Sequence, residues 1–264
     1  MQIMRIMPNP GDSISPPARR RASGIGSLDA ALGGGLAYGR VHEIYADDPA
    51  EAGAATGFAL ALAATMNGSG GGGAGGGVLW LRARQAVRQG GICRADGWAD
   101  LGGAPGGGLI GVVPDAIALL RAAADALRCA ALGAVIVESW GRMRELDLTA
   151  SRRLALAAEA SGVPLFVLRI AAAPVPSAAQ TRWQVAAAPS APLPARAPGW
   201  PTFDITLLRQ RAGPSGLDWR VEWNRDRHIF QEASLSGAVV SPVADRPLAQ
   251  PGPGAGHTGG RYAA

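Results

Sequence analysis

What most constrains this chain is an alternation of short, unbroken apolar runs with segments of helical pattern. Ala134-Val135-Ile136-Val137 and Leu165-Phe166-Val167-Leu168 carry no polar residue at alternate positions. Strands written that way are buried on both faces, as in a parallel sheet covered by helices. Between them a helix is predicted over 147–161, stopped by Gly162 with Pro164 beyond it. Upstream, 41–45, 78–81 and 109–113 read as further strands, and 50–67 as an Ala-rich helix. Pro114 is expected to open another helix at its first position, where a missing N–H costs nothing. Ile117, Leu120, Ala124, Leu127 and Ala131 mark the apolar stripe on that helix. The later segments 183–185, 203–208 and 219–223 alternate apolar with polar residues and have no helices between them, which suggests antiparallel strands. The expectation is an α/β fold: a mainly parallel central sheet, helices on both faces, and antiparallel strands at one edge.

A chain of 264 residues, 48% hydrophobic, can build one substantial core with flexible ends. Residues 1–22 are broken by Pro8, Pro10, Pro16 and Pro17 and end in Arg19-Arg20-Arg21, so a disordered basic arm is expected there. The folded domain is assigned to 23–232, and 233–264 to a disordered tail. The nearly all-glycine stretch 68–77 reads as a spacer loop. No run of eighteen apolar residues occurs, and 1–17 lacks an apolar stretch followed by a small-residue cleavage site, so a cytoplasmic location is expected.

Composition excludes several chemistries. All 25 basic residues are arginine, so the chain has no phosphate-gripping lysine and no lysine nucleophile or base. Cys93 and Cys129 have no metal-ligand spacing and are read as structural, and His42, His228 and His257 are scattered. No metal and no cofactor is expected. The formal charge of +5 suits an anionic partner without requiring one.

In an α/β protein the first strand-to-helix turn is where a phosphate would bind. Here that turn and the following helix read Ala46-Asp47-Asp48-Pro49-Ala50-Glu51-Ala52-Gly53-Ala54-Ala55-Thr56. A working phosphate loop needs backbone donors bent by glycine, a lysine and a hydroxyl on Mg²⁺. Ala54 and Ala55 follow Gly53 where lysine and Ser/Thr belong, while Asp47, Asp48 and Glu51 add negative charge. Thr56 could offer a hydroxyl one position late. After the strand 78–81 comes Arg82-Ala83-Arg84, and guanidiniums cannot act as general bases at neutral pH. Glu138, closing the run Val135-Ile136-Val137, suits an acid facing Mg²⁺ or a structural acceptor.

Two segments carry a family resemblance. Gly26-Ser27-Leu28-Asp29-Ala30-Ala31-Leu32, the glycine-rich bend Gly33-Gly34-Gly35, and Gly39-Arg40-Val41-His42-Glu43-Ile44-Tyr45 resemble the lead-in to the phosphate loop of RecA-type recombinases. Val135-Ile136-Val137-Glu138-Ser139 is similar to their Walker B strand, so that the resemblance covers about 23–170. It implies a RecA-like three-layer sandwich with a degenerate nucleotide site at Asp48, Gly53, Ala54, Ala55, Thr56 and Glu138. With the Arg- and Trp-rich segment 217–227, the chain resembles the ImuA family, degenerate RecA-like accessory proteins of an inducible mutagenesis cassette. That resemblance implies a non-catalytic role in damage-induced translesion synthesis, in the SOS response, and association with the nucleoid on damage. The implied partners are a polymerase-like protein called ImuB, an error-prone replicative-type polymerase, RecA and DNA. It also places the proline-rich connections 174–179 and 189–201 near DNA-binding loops.

Residues that could carry such contacts fall in two groups. Arg82, Arg84, Arg88 and Arg94 form a cluster suited to phosphates or to an acidic surface, or a solvated face. Trp219, Arg220, Trp223, Arg225 and Arg227 read either as aromatic anchors with arginines at an interface or as a packed sheet face with charged outer residues. Strand periodicity puts Trp219, Val221 and Trp223 on one face, the core face. Arg142, Arg144, Arg152 and Arg153, diluted by Glu145 and Asp147, read as solvated surface. Two alternative functions are carried: a RecA-like ATPase using Thr56 and Glu138, and a division-inhibitor-like partner protein.

Overall fold

The computed structural model describes residues 19–67, 76–103 and 107–233. In chain order its elements are β1 (Arg20–Arg21), α1 (Gly26–Ala31), β2 (Leu36–Ala37), β3 (Val41–Ala46), a 3₁₀ turn (Pro49–Glu51), α2 (Ala52–Asn67), β4 (Val78–Ala83), α3 (Arg84–Gly90), α4 (Ala95–Asp100), β5 (Gly108–Val113), α5 (Ala116–Ala126), β6 (Ala134–Trp140), α6 (Leu148–Ser161), β7 (Leu165–Ile170), β8 (Thr181–Ala187), a second 3₁₀ turn (Pro194–Arg196), β9 (Thr202–Gln210), β10 (Leu217–Asn224) and β11 (Ile229–Glu232). Nine of these strands form one sheet in the order β11-β10-β9-β8-β3-β7-β6-β4-β5. The pairings from β5 through β8 are parallel, and those of β8 with β9, β9 with β10 and β10 with β11 are antiparallel. The remaining two, β1 and β2, pair antiparallel in a small separate sheet.

The continuous apolar runs do what their pattern requires. Every residue of β7 is buried, and so is β6 up to Ser139, because helices lie on both faces. Ile136, Phe166 and Leu168 point to the side where α1 and α2 pack, whereas Val135, Val137, Leu165 and Val167 point to the side of α5 and α6. The alternation of strand side chains thus feeds two cores from one sheet. Phe58 of α2 joins Trp183, Phe203 and Phe230 in tilted and edge-on ring contacts, which ties the parallel half to the antiparallel half. Among the described residues no helix is long and apolar enough to cross a membrane.

The three later segments, β8, β9 and β10, pair antiparallel with one another as expected; β8 also pairs parallel with β3 and so joins the two halves of the sheet, and the edge itself is β11. Orientation depends on the connection from β7 across the sheet, which periodicity does not encode. Several local expectations are corrected. Pro114 lies outside α5: Asp115 caps that helix, its carboxylate accepting from the Ala118 N–H. Of the expected stripe on α5, Leu127 is buried and Leu120 and Ala124 pack partly against the core, but Leu119 and Ala123 are buried as well and Ile117 is exposed, because the Ala-rich sequence offers two apolar registers a third of a turn apart. α6 matches its predicted span, with Asp147 as cap and Gly162 in the left-handed conformation at its end.

The arginine run belongs partly to the fold rather than to an arm. Arg20 and Arg21 pair with Ala37 and Leu36, Arg20 Nη1 donates to the carbonyls of Leu32 and Gly35, and the Arg19 guanidinium lies 3.8 Å from the Tyr38 ring centre. Close approach here requires glycine. Gly35 has φ +106°, and a Cβ on it would come 2.1 Å from the Arg21 carbonyl oxygen. The rest of the expected arm, most of the glycine spacer and the tail after 233 lie outside the described residues.

Candidate functional site

The site where a phosphate would be expected lies at the carboxyl ends of β3, β4 and β6, beside the first turn of α2. The chain passes from β3 to α2 in one tight step: Asp47 and Asp48, then the 3₁₀ turn, then helix. Asp48 caps that turn itself, its Oδ1 accepting from the Ala50 N–H at 2.8 Å. Glu51 Oε2 accepts from the Ala187 N–H at the end of β8, 2.6 Å away. Asp48 therefore occupies a backbone donor of the turn that a phosphate loop would leave open for its ligand, and Glu51 ties the turn to the end of β8. Gly53, Ala54, Ala55 and Thr56 are helical, and Gly53 is not among the left-handed glycines, so no glycine bends this turn around a ligand.

A cleft of about 240 Å³ opens beside this turn, lined in part by Gly53, Thr56, Trp80, Arg82, Glu138 and Trp140. Ala54 and Ala55 are not among its lining residues. The end of the cleft is occupied by an ion pair. Arg82 and Glu138 are direct register partners across β4 and β6, and their side chains are 4% and 2% exposed. Arg82 Nε donates to Glu138 Oε2 at 2.7 Å, and Arg82 Nη2 donates to Oε1 at 2.9 Å. Trp140 Nε1 also donates to Oε1, at 2.7 Å. The remaining guanidinium donors reach the carbonyls of Gly91 and Ala86, and the guanidinium lies over the Trp80 ring. Both oxygens of the acid are therefore engaged by fixed donors in a bidentate geometry. A cation could coordinate Glu138 only by expelling a guanidinium that has no other carboxylate to go to.

The predicted arginine cluster is split. Arg82 is buried in this pair and is not available to DNA or to a partner. Arg84 and Arg88 are exposed one turn apart on α3. Arg94 is exposed, lines the cleft and pairs with Asp96 at 3.2 Å, an acid that the reading of this cluster as purely basic passed over. Burial raises the Cys93 thiol pKa, with the charges of Arg82 and Glu138 opposing each other as smaller influences, which makes it a poor nucleophile.

The second candidate group is corrected more sharply. Trp223 is fully buried against Phe230, with ring centres 4.9 Å apart, so it is a core residue and not an anchor for a partner. Trp219 packs against the same core and donates to Ser27 Oγ of α1. Arg220 lies opposite Asp204 in register and binds it through two hydrogen bonds of 2.7 and 2.8 Å. Its pKa is raised, chiefly by that hydrogen bonding. Arg225 pairs with Asp100 at 3.5 Å, and Arg227 is exposed. Of the arginines in this group Arg227 alone has no ion pair among the described residues.

Trp140 was not singled out in the sequence. Its signal was its position, two residues after Glu138 on the same strand and therefore on the same face. No protein-family model matches the chain, and no curated protein matches it.

Proposed function

We propose that this chain is a non-catalytic, RecA-like accessory protein of the ImuA type, which serves damage-induced translesion synthesis by docking other proteins. The RecA-like reading draws support from a mainly parallel sheet covered on both faces, antiparallel strands at one edge, and Gly33-Gly34-Gly35 forming the bend that leads into β2 and on to β3. The observation that carries the non-catalytic reading is the Arg82–Glu138 pair. It places a cation where a water-activating base would be needed and closes off the one acid positioned for Mg²⁺. The capped turn at Asp48 adds to it. The expected partners are a polymerase-like protein, an error-prone replicative-type polymerase and RecA.

Two measurements test this. Isothermal titration with ATP and Mg²⁺ is expected to give no binding tighter than millimolar, whereas micromolar, magnesium-dependent binding would favour the ATPase alternative, since Thr56 and Glu138 do line one cleft. A pull-down with the purified polymerase-like partner and with RecA is expected to recover at least one complex. Failure to bind either sinks the docking role.

A further inference from the structure

A second cleft, of about 310 Å³, lies on the other side of β8, between the start of α6 and the end of β9. Its lining includes Leu148, Arg152, Pro176, Ser177, Arg209 and Arg211, and no acidic residue. The three arginines come from two separate places in the chain, are exposed, and have no ion pair among the described residues. This sets them apart from Arg40, Arg82, Arg182, Arg220 and Arg225, each of which has found a carboxylate. The nearest acid in sequence, Asp147, is committed to capping α6 through the Ala150 N–H at 2.7 Å.

Arg209 stands directly opposite Arg182 in the β8–β9 register, a like-charge pair that destabilises a sheet unless something offsets it. Arg182 is balanced by Glu43, 2.9 Å away, but its Nη2 also donates to Ser177 Oγ on the cleft floor and to the Val175 carbonyl. The floor is fixed further by the Ala178 N–H donating to Ser151 Oγ at 3.1 Å, and by the Arg211 N–H donating to the Gln180 carbonyl. Three arginines lining one cleft over a hydrogen-bonded floor suit an oxyanion, because arginine matches phosphate oxygens two at a time.

We propose that this cleft binds a dianionic phosphate monoester, held by Arg152, Arg209 and Arg211. Three unbalanced cations favour a group carrying close to two negative charges over a singly charged phosphodiester. The lining has no aromatic side chain on which bases could stack, and Leu148 and Pro176 give it apolar walls, so it suits one terminal group rather than a length of backbone. The same chemistry is presented by the 5′-terminal phosphate of a nucleic-acid strand and by a free sugar phosphate. The inference deepens the expected contact with nucleic acid but does not depend on the docking role: the chain can bind phosphate here and no polymerase, or the reverse.

The test uses the full chain and fluorescently labelled oligothymidylate with either a 5′-phosphate or a 5′-hydroxyl, with ribose 5-phosphate as competitor. The 5′-phosphate is expected to tighten binding at least tenfold. The gain should vanish in Arg152→Gln/Arg209→Gln/Arg211→Gln and persist in a variant of exposed arginines outside the cleft, Arg121→Gln/Arg153→Gln. The gain should also grow from pH 5.5 to 7.5, as the monoester loses its second proton near pH ~6. Competition by ribose 5-phosphate at the strand's own affinity assigns the site to free monoesters, and weaker competition assigns it to strand ends; both support it. Equal binding of the two oligonucleotides, or a gain that survives the triple variant with an unchanged melting temperature, overturns the proposal.

Discussion

The Arg82–Glu138 pair shows how one arginine can engage both oxygens of a buried acid. Burying two charges costs several kcal/mol, offset here by a bidentate contact, a third donor from Trp140 and two carbonyl acceptors for the guanidinium. Removing one partner strands the other, so Arg82→Ala and Glu138→Ala are each expected to cost about 3–5 kcal/mol in urea unfolding. Arg82→Met/Glu138→Leu should recover most of that loss, because it removes both charges. Single-variant costs below about 1 kcal/mol, the range of solvated pairs, would mean that the acid is open to solvent. A different residue sets the response to pH. His42 is fully buried, its Nδ1 2.7 Å from Thr181 Oγ1 and its Nε2 3.0 Å from the Ala37 carbonyl oxygen, and burial lowers its pKa from 6.5 to about 4. The unfolded chain therefore takes up a proton that the folded chain refuses. The stability His42 contributes is complete above about pH 6.5 and falls as pH drops towards 4, by about 3 kcal/mol across that window. His42→Gln should flatten the dependence of the urea midpoint on pH between 4 and 6.5, and an unchanged slope would show that other groups set it.

The antiparallel strands show why element patterns were readable and their surfaces were not. Alternation along β10 correctly put Trp219, Val221 and Trp223 on the core face. It could not tell whether a second molecule or the chain's own α1 and α2 would cover that face, since both demand the same apolar spacing. The ring contacts of Trp223 decide it, and they set its expected sensitivity apart from that of Arg220. Trp223→Ala, which empties a fully buried site, is expected to cost about 3–5 kcal/mol, while Arg220→Ala, on the exposed face, should cost far less. Chemical denaturation of the two variants separates the cases, and equal costs would contradict this packing. The stripe on α5 was read in part for a related reason: Leu127 is buried and Leu120 and Ala124 pack against the core as expected, but with alanine at so many positions the weight of Leu119 over Ile117 is seen only once β4 and β6 are in place.

At the scale of the whole sheet, strand order turns separate residues into a site. Arg82 and Glu138 are 56 positions apart and face each other only because β4 lies beside β6. The sequence could therefore show that lysine is absent, but not that Arg82 holds Glu138. The same order leaves β5 at an edge, and its sequence Gly-Leu-Ile-Gly-Val-Val has neither charge nor proline to discourage further pairing. Leu109, Ile110 and Val112 are 68%, 49% and 54% exposed, and Ile117 of α5 lies exposed shortly after. A flat, apolar edge with free backbone donors and acceptors recruits other strands, and natural edges are usually blunted by a charge or a bulge. Ile110→Lys/Val112→Lys, which charges that edge on one face without filling any core, is expected to raise the protein concentration and the temperature at which light scattering begins, with the melting temperature held nearly constant. A variant that melts earlier yet scatters at the same concentration as the parent would mean that these side chains stabilise the fold and the edge is already protected. The contrast between β5 and β11 sharpens the test: β11 is only four residues long and ends in Glu232, so the same charges placed there should change scattering little.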